Sequence, residues 1–148
     1  MTSDTVEILL VEDDADDAEL AMHALKRDRV PGSIHIARDG VEALDFLFRE
    51  GQSAGGGRDV TPPKVVLLDM KLPRLDGLEV LRRMKADKRT STIPVVMMTS
   101  SREERDVTES YRLGVNSYIV KPVDFDQFTD AVRTVGHYWA SLNNPPRA

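Results

Sequence analysis

Cysteine is absent from this 148-residue chain. That excludes disulfides, thiolate catalysis and cysteine-based metal centres. No apolar run reaches the roughly 20 residues needed to span a bilayer. The opening "MTSDTVEILLVEDD" has neither a basic segment nor a cleavage site, so no secretory signal is expected. The default compartment is the cytoplasm, with no membrane partner. Positive charge is not in excess: the formal net charge is −5, which argues against a general nucleic-acid binder. A phosphate-cradling loop is missing too. The triple glycine at 55–57 neither follows a strand nor continues into Gly-Lys-Ser/Thr. His23, His35 and His137 are scattered and match no metal-ligand spacing.

What remains is an ordinary globular composition, 41% hydrophobic and 30% charged. The length fits one domain over 1–148, with its core at about 5–142. Such a chain buries roughly 70% of its unfolded surface. Short apolar, β-rich runs at 6–11, 33–37, 64–70, 93–100 and 116–120 read as buried strands. Between and after them, 13–28, 39–50, 77–87, 102–114 and 124–142 carry apolar residues at helical spacing. The segment 51–63 is rich in glycine and proline and reads as a long loop. The last helix has the stripe Phe125, Phe128, Val132, Val135, Trp139 and Leu142, expected to be mostly core.

Five strands alternating with five helices predict an α/β fold with a parallel sheet covered on both faces. Right-handed crossovers make it doubly wound. Ligands of such sheets bind beyond the carboxyl ends of the strands. The first strand is followed by Glu12, Asp13 and Asp14, and the third, "VVLLDMKLPRLDG", by Asp69. The fourth ends in Thr99-Ser100-Ser101 and the fifth in Lys121-Pro122. An acid at the end of a buried strand is costly unless something uses or neutralises it. Taken singly, each residue has a plainer reading. Asp14, Asp16 and Asp17 suit a helix cap and acidic first turn. Asp69 suits a turn, Ser100 or Ser101 a helix cap, Lys121 a solvated surface, and Tyr118 a half-buried core position.

Together, "ILLVEDD", "VVLLDMKLPRLDG", "IPVVMMTSS" and "SYIVKP" resemble the motifs of the response regulator receiver domain, the CheY-like phosphoacceptor of two-component signalling. The resemblance covers about residues 5–142. It implies a flavodoxin-like sheet of order 2-1-3-4-5 with five helices. It implies that Asp69 is the phosphoacceptor, that Thr99 contacts the phosphoryl group, and that Lys121 is the family's lysine, followed by a usually cis Pro122. It implies Mg²⁺ held by Asp13 directly, by Glu12 mainly through water, by Asp69, and by the Lys71 backbone carbonyl. Tyr118 matches the aromatic switch position. A sensor histidine kinase is the implied partner, and the face of the fourth helix, fifth strand and fifth helix the implied readout. Lys71 and Ser101 occupy the positions that tune dephosphorylation. Neither is a water-positioning acid or amide, so a long-lived phosphoryl state is expected.

The long loop, "DGVEALDFLFREG" and "YWASLNNPP" further resemble the single-domain regulators paired with bacterial phytochrome kinases. No effector domain is expected, so output is expected through binding another protein or a second copy. Trp139, Tyr138, Phe125 and Phe128 either support that homodimer or close the core. The expected role is a signalling phosphoacceptor, not an enzyme. Haloacid-dehalogenase-type phosphatases need a second aspartate where this chain has Lys71. A pseudo-receiver fits poorly with Glu12, Asp13, Asp69, Thr99 and Lys121 all in place. A nucleotide-binding flavodoxin-like protein would not place acids after the first strand.

Overall fold

The computed structural model describes residues 6–27, 33–49, 62–122 and 124–146. Its strands are β1 (Val6–Val11), β2 (Ser33–Ala37), β3 (Val65–Leu68), β4 (Val95–Thr99) and β5 (Ser117–Val120). They pair in parallel in the order β2-β1-β3-β4-β5, as expected. The helices are α1 (Ala15–Arg27), α2 (Gly40–Leu47), α3 (Gly77–Ala86), α4 (Glu104–Arg112) and α5 (Phe125–His137). Residues 51–61 of the expected loop lie outside the described residues.

Strand alternation divides the core in two. Leu9, Val11, Val66, Leu68, Val95 and Met97 point to one face and pack against Val80, Leu81 and Met84 of α3 and Ala43 of α2. Ile8, Leu10, Val65, Leu67, Val96 and Met98 point to the other, against the alanines and Leu25 of α1 and Phe128, Val132 and Val135 of α5. All of β3 and β4 is buried. Burial on both faces explains why these strands read as unbroken apolar runs.

The helices begin where side chains can take up their free N–H groups. Asp39, Asp76 and Asp124 each accept a backbone hydrogen bond three residues on, capping α2, α3 and α5. Asp14 Oδ1 accepts from the N–H groups of Asp16 and Asp17, at 2.9 and 3.0 Å. The fourth helix differs. Only Ser110 is fully buried, and its N-cap, Glu103, makes no side-chain cap. Little apolar packing holds α4 to the sheet.

The last helix departs from its expected span. α5 stops at His137 and the chain continues as one π-helical turn, Tyr138–Leu142. The stripe divides accordingly. Phe128, Val132 and Val135 are buried and Trp139 packs against them. Phe125, Tyr138 and Leu142 are exposed. A second expectation is corrected: among the described residues no peptide bond is cis, so Lys121–Pro122 is trans, the form favoured for X–Pro by about 0.5–1 kcal/mol.

Candidate functional site

The register of the sheet brings four strand ends to one edge. Val11 pairs with Leu68, and Thr99 with Val120. One residue further on, the backbone keeps the same grip: Asp69 N donates to Val11 O at 3.1 Å, and Lys121 N donates to Thr99 O at 2.7 Å. Glu12, Asp13, Asp69, Thr99 and Lys121 therefore start from adjoining points. The turn after Asp69 is tight. Gly77 N donates to Met70 O at 2.7 Å, and a Cβ on Gly77 would lie 2.2 Å from Asp69 O. Only glycine fits there.

The acids converge. Glu12, Asp13 and Asp69 each offer a carboxylate oxygen within 4.8 Å of the others. Glu12 and Asp69 are buried, at 5% and 8% exposure, while Asp13 faces solvent. Lys121 reaches into this cluster. Its Nζ donates to Glu12 Oε1 at 2.8 Å, Asp17 Oδ2 at 3.1 Å and Asp69 Oδ2 at 3.4 Å. The other Glu12 oxygen, Oε2, accepts from Asp14 N at 3.2 Å.

Burial pushes the Glu12 carboxyl up to about 7; the hydrogen bond from Lys121 works against that and the Asp69 charge adds to it. Burial alone would lower Lys121, but Glu12, Asp69 and Asp17 together hold it above its ordinary value. Crowded carboxylates raise one another's pKa, and a cation reverses this. The donor set is all hard oxygen and includes an exposed carboxylate, which suits a small divalent ion that keeps part of its water shell.

The hydroxyl expected to meet the phosphoryl group is fully buried. Thr99 Oγ1 accepts from Ser101 N at 3.4 Å. Ser101 is a junction: its Oγ donates to Asp106 Oδ2 on α4 at 2.5 Å, and its carbonyl accepts from the Tyr118 hydroxyl at 3.0 Å. Tyr118 is half-buried against the α3-side core, so the plain reading of its ring also holds. Ser101 Oγ also accepts from Glu103 N, but the N-cap of α4 is Glu103, so neither Ser100 nor Ser101 caps the helix as expected. Lys71 is exposed and lines an open groove with Ser101, Arg102 and Arg105.

Two residues outside the expected site belong to this neighbourhood. Asp17 reads as an acid of the first helical turn, yet it shares Lys121 with Glu12 and Asp69. Arg74 has a φ of +68° and forks onto Asp39, with Nε–Oδ2 at 3.0 Å and Nη2–Oδ1 at 3.2 Å. No sequence signal marks a left-handed arginine.

A doubly wound parallel sheet with an acidic cluster and a lysine at its carboxyl edge defines the class of the fold and of its candidate site. Comparison with known proteins narrows it: the family model described as "Response regulator receiver domain" matches residues 8–133. The chain belongs to that family, the receiver domains of two-component systems. It is 42% identical over 139 residues to the "Probable methanogenesis regulatory protein FilR2" of Methanothrix harundinacea, covering 94% of this chain and 86% of that one. The phosphorylated cyanobacterial phytochrome response regulator RcpA superposes with a TM-score of 0.85 at 38% identity, over 96% of this chain and 99% of that one. The Mn²⁺-bound form of response regulator Rcp1, a Synechocystis protein, gives 0.84 at 35% identity, over 95% and 99%. The chain is close to phytochrome response regulators. Among the described residues no helix is long and apolar enough to cross a membrane.

Proposed function

We propose that this receiver accepts a phosphoryl group on Asp69 from a sensor histidine kinase of the phytochrome type. The observation that carries the reading is the meeting of Glu12, Asp13 and Asp69 within 4.8 Å, with Lys121 donating into the same cluster. RcpA is described as phosphorylated and Rcp1 as Mn²⁺-bound, and both support the transfer to this chain.

The Asp69 carboxylate oxygen bonds to phosphorus, the donor's N–P bond breaks, and the electron pair stays on the imidazole nitrogen. The product is an aspartyl phosphate. Glu12, Asp13, Asp69 and the Lys71 carbonyl are the groups to hold Mg²⁺, which when bound neutralises developing charge on the phosphoryl oxygens. Lys121, which donates to Asp69 Oδ2, supplies a point charge to another oxygen. Thr99 moves toward a third to donate to it, away from the Ser101 N–H whose hydrogen bond it accepts. That frees the Ser101 junction, so Tyr118 and α4 reposition together. α4 suits this role because little buried surface resists its movement.

The readout is the α4–β5–α5 face, where Tyr111 and Phe125 are 51% and 56% exposed, and a second copy of this chain docks there. The protein acts in the cytoplasm as a signalling phosphoacceptor and turns over no external substrate. Mutation of Asp69 with a mass readout, set out at the close of the Discussion, tests the proposal.

A further inference from the structure

Between Asp69 and α3, the loop makes a γ-turn centred on Arg74. Leu75 N donates to Pro73 O at 2.7 Å across a residue with φ +68°. A γ-turn with positive φ is rare and strained, and arginine has none of glycine's freedom there. Arg74 is the one non-glycine residue with positive φ among those described. Strain of this kind persists only where surrounding contacts enforce it.

Two contacts do so, and both come from the start of α2. The Arg74 guanidinium forks onto Asp39, at 3.0 and 3.2 Å. Beside it, Gly40 allows the Leu75 carbonyl to approach so closely that a Cβ would lie 2.0 Å from its oxygen. Asp39 is itself fixed, because Oδ1 also accepts from Glu42 N at 2.8 Å. The hydrogen bond from Glu42 N, with Arg74 adding to it, holds the Asp39 carboxyl below its ordinary value. The other end of the loop is pinned at Met70, whose carbonyl accepts from Gly77 N at 2.7 Å. Lys71 lies between these two anchors.

We infer that the Arg74–Asp39 fork is a positioning device that ties the loop bearing the Lys71 carbonyl to the capped start of α2 and sets the affinity of the acidic cluster for a divalent cation. The inference rests on the proposed role of the Lys71 carbonyl. Arg74 and Asp39 touch neither metal nor phosphoryl group; they act through the backbone. An exposed ion pair contributes little to stability, but a two-pronged fork restricts geometry. Its effect therefore appears in binding more than in folding.

The test is Mn²⁺ affinity of the purified full chain, read from the free-ion electron paramagnetic resonance signal, beside thermal unfolding. Arg74→Gly removes the fork and the φ strain together. Asp39→Asn keeps the cap, since asparagine caps as well as aspartate, and weakens the fork. Each variant is expected to bind Mn²⁺ about tenfold more weakly, as partners that orient metal ligands do. The double variant is expected to lose no more than the worse single one, with melting close to the parent in all three. Unchanged affinity in Arg74→Gly, or losses that simply add, overturns the inference. Asp13→Asn is the control. If it binds like the parent, or the parent binds no Mn²⁺, the metal reading fails and takes this inference with it. If Asp13→Asn loses binding while Arg74→Gly keeps it, the fork alone is wrong.

Discussion

Lys121 Nζ lies 2.8 Å from Glu12 Oε1, closer than to the Asp69 oxygen it is expected to serve, at 3.4 Å. In this state the lysine mainly keeps a buried acid paired. Lys121→Met therefore strands Glu12, and a loss of about 1–3 kcal/mol is expected. Asp17→Asn, which removes the more exposed partner, is expected to cost less than about 1 kcal/mol. Urea unfolding of both variants checks the order; equal losses would contradict it.

The aspartyl phosphate is expected to outlive the seconds scale. Lys71 and Ser101 are neither acids nor amides, so neither side chain is suited to hold a water in line with Asp69. Decay of the phosphorylated protein, followed by phosphate-affinity electrophoresis after removal of the donor, measures this. A half-life of seconds would show that another group activates water.

His35 stacks on Phe46 with ring centroids 4.3 Å apart, and burial, aided by the Arg49 charge and opposed by Glu42, lowers its pKa below 6.5. The unfolded chain then binds more protons just below pH 6.5, so this contribution to stability is lost as pH falls through that window and is complete above it. Glu12, raised to about 7, pushes the opposite way. The His35 effect is read as the difference between the protein and His35→Asn. Melting of the parent should fall more steeply from pH 6.5 to 5.5 than that of the variant. Parallel profiles would contradict the assignment.

Tyr111 on α4 and Phe125 on α5 are exposed on the proposed readout face. Tyr111→Asp and Phe125→Asp are expected to abolish self-association while leaving circular dichroism unchanged. Sedimentation velocity decides this; a dimer that survives both substitutions uses another surface.

Much of this was legible in the sequence, for definite reasons. β3 and β4 are buried on both faces, so their apolar runs stand out, and a parallel sheet forces their carboxyl ends together. Hence Glu12, Asp13, Asp69, Thr99 and Lys121 could be expected at one edge, and the resemblance to receiver domains implied their roles as a group. Three features were hidden. The Lys121–Asp17 pair was masked by the helix-start role that aspartate also serves. The turn at Arg74 depends on tertiary contacts that override what arginine prefers. α5 ends beside Gly136, but the apolar spacing runs on through Leu142 and outweighed that signal, although Phe125 and Leu142 are exposed.

The central claim is that Asp69 accepts the phosphoryl group. Intact mass should be measured after incubation with acetyl phosphate and Mg²⁺, for the protein and for Asp69→Asn. The protein is expected to gain the mass of one phosphoryl group, and Asp69→Asn none under the same conditions. Equal gain by both proteins, or none by either, would contradict the account.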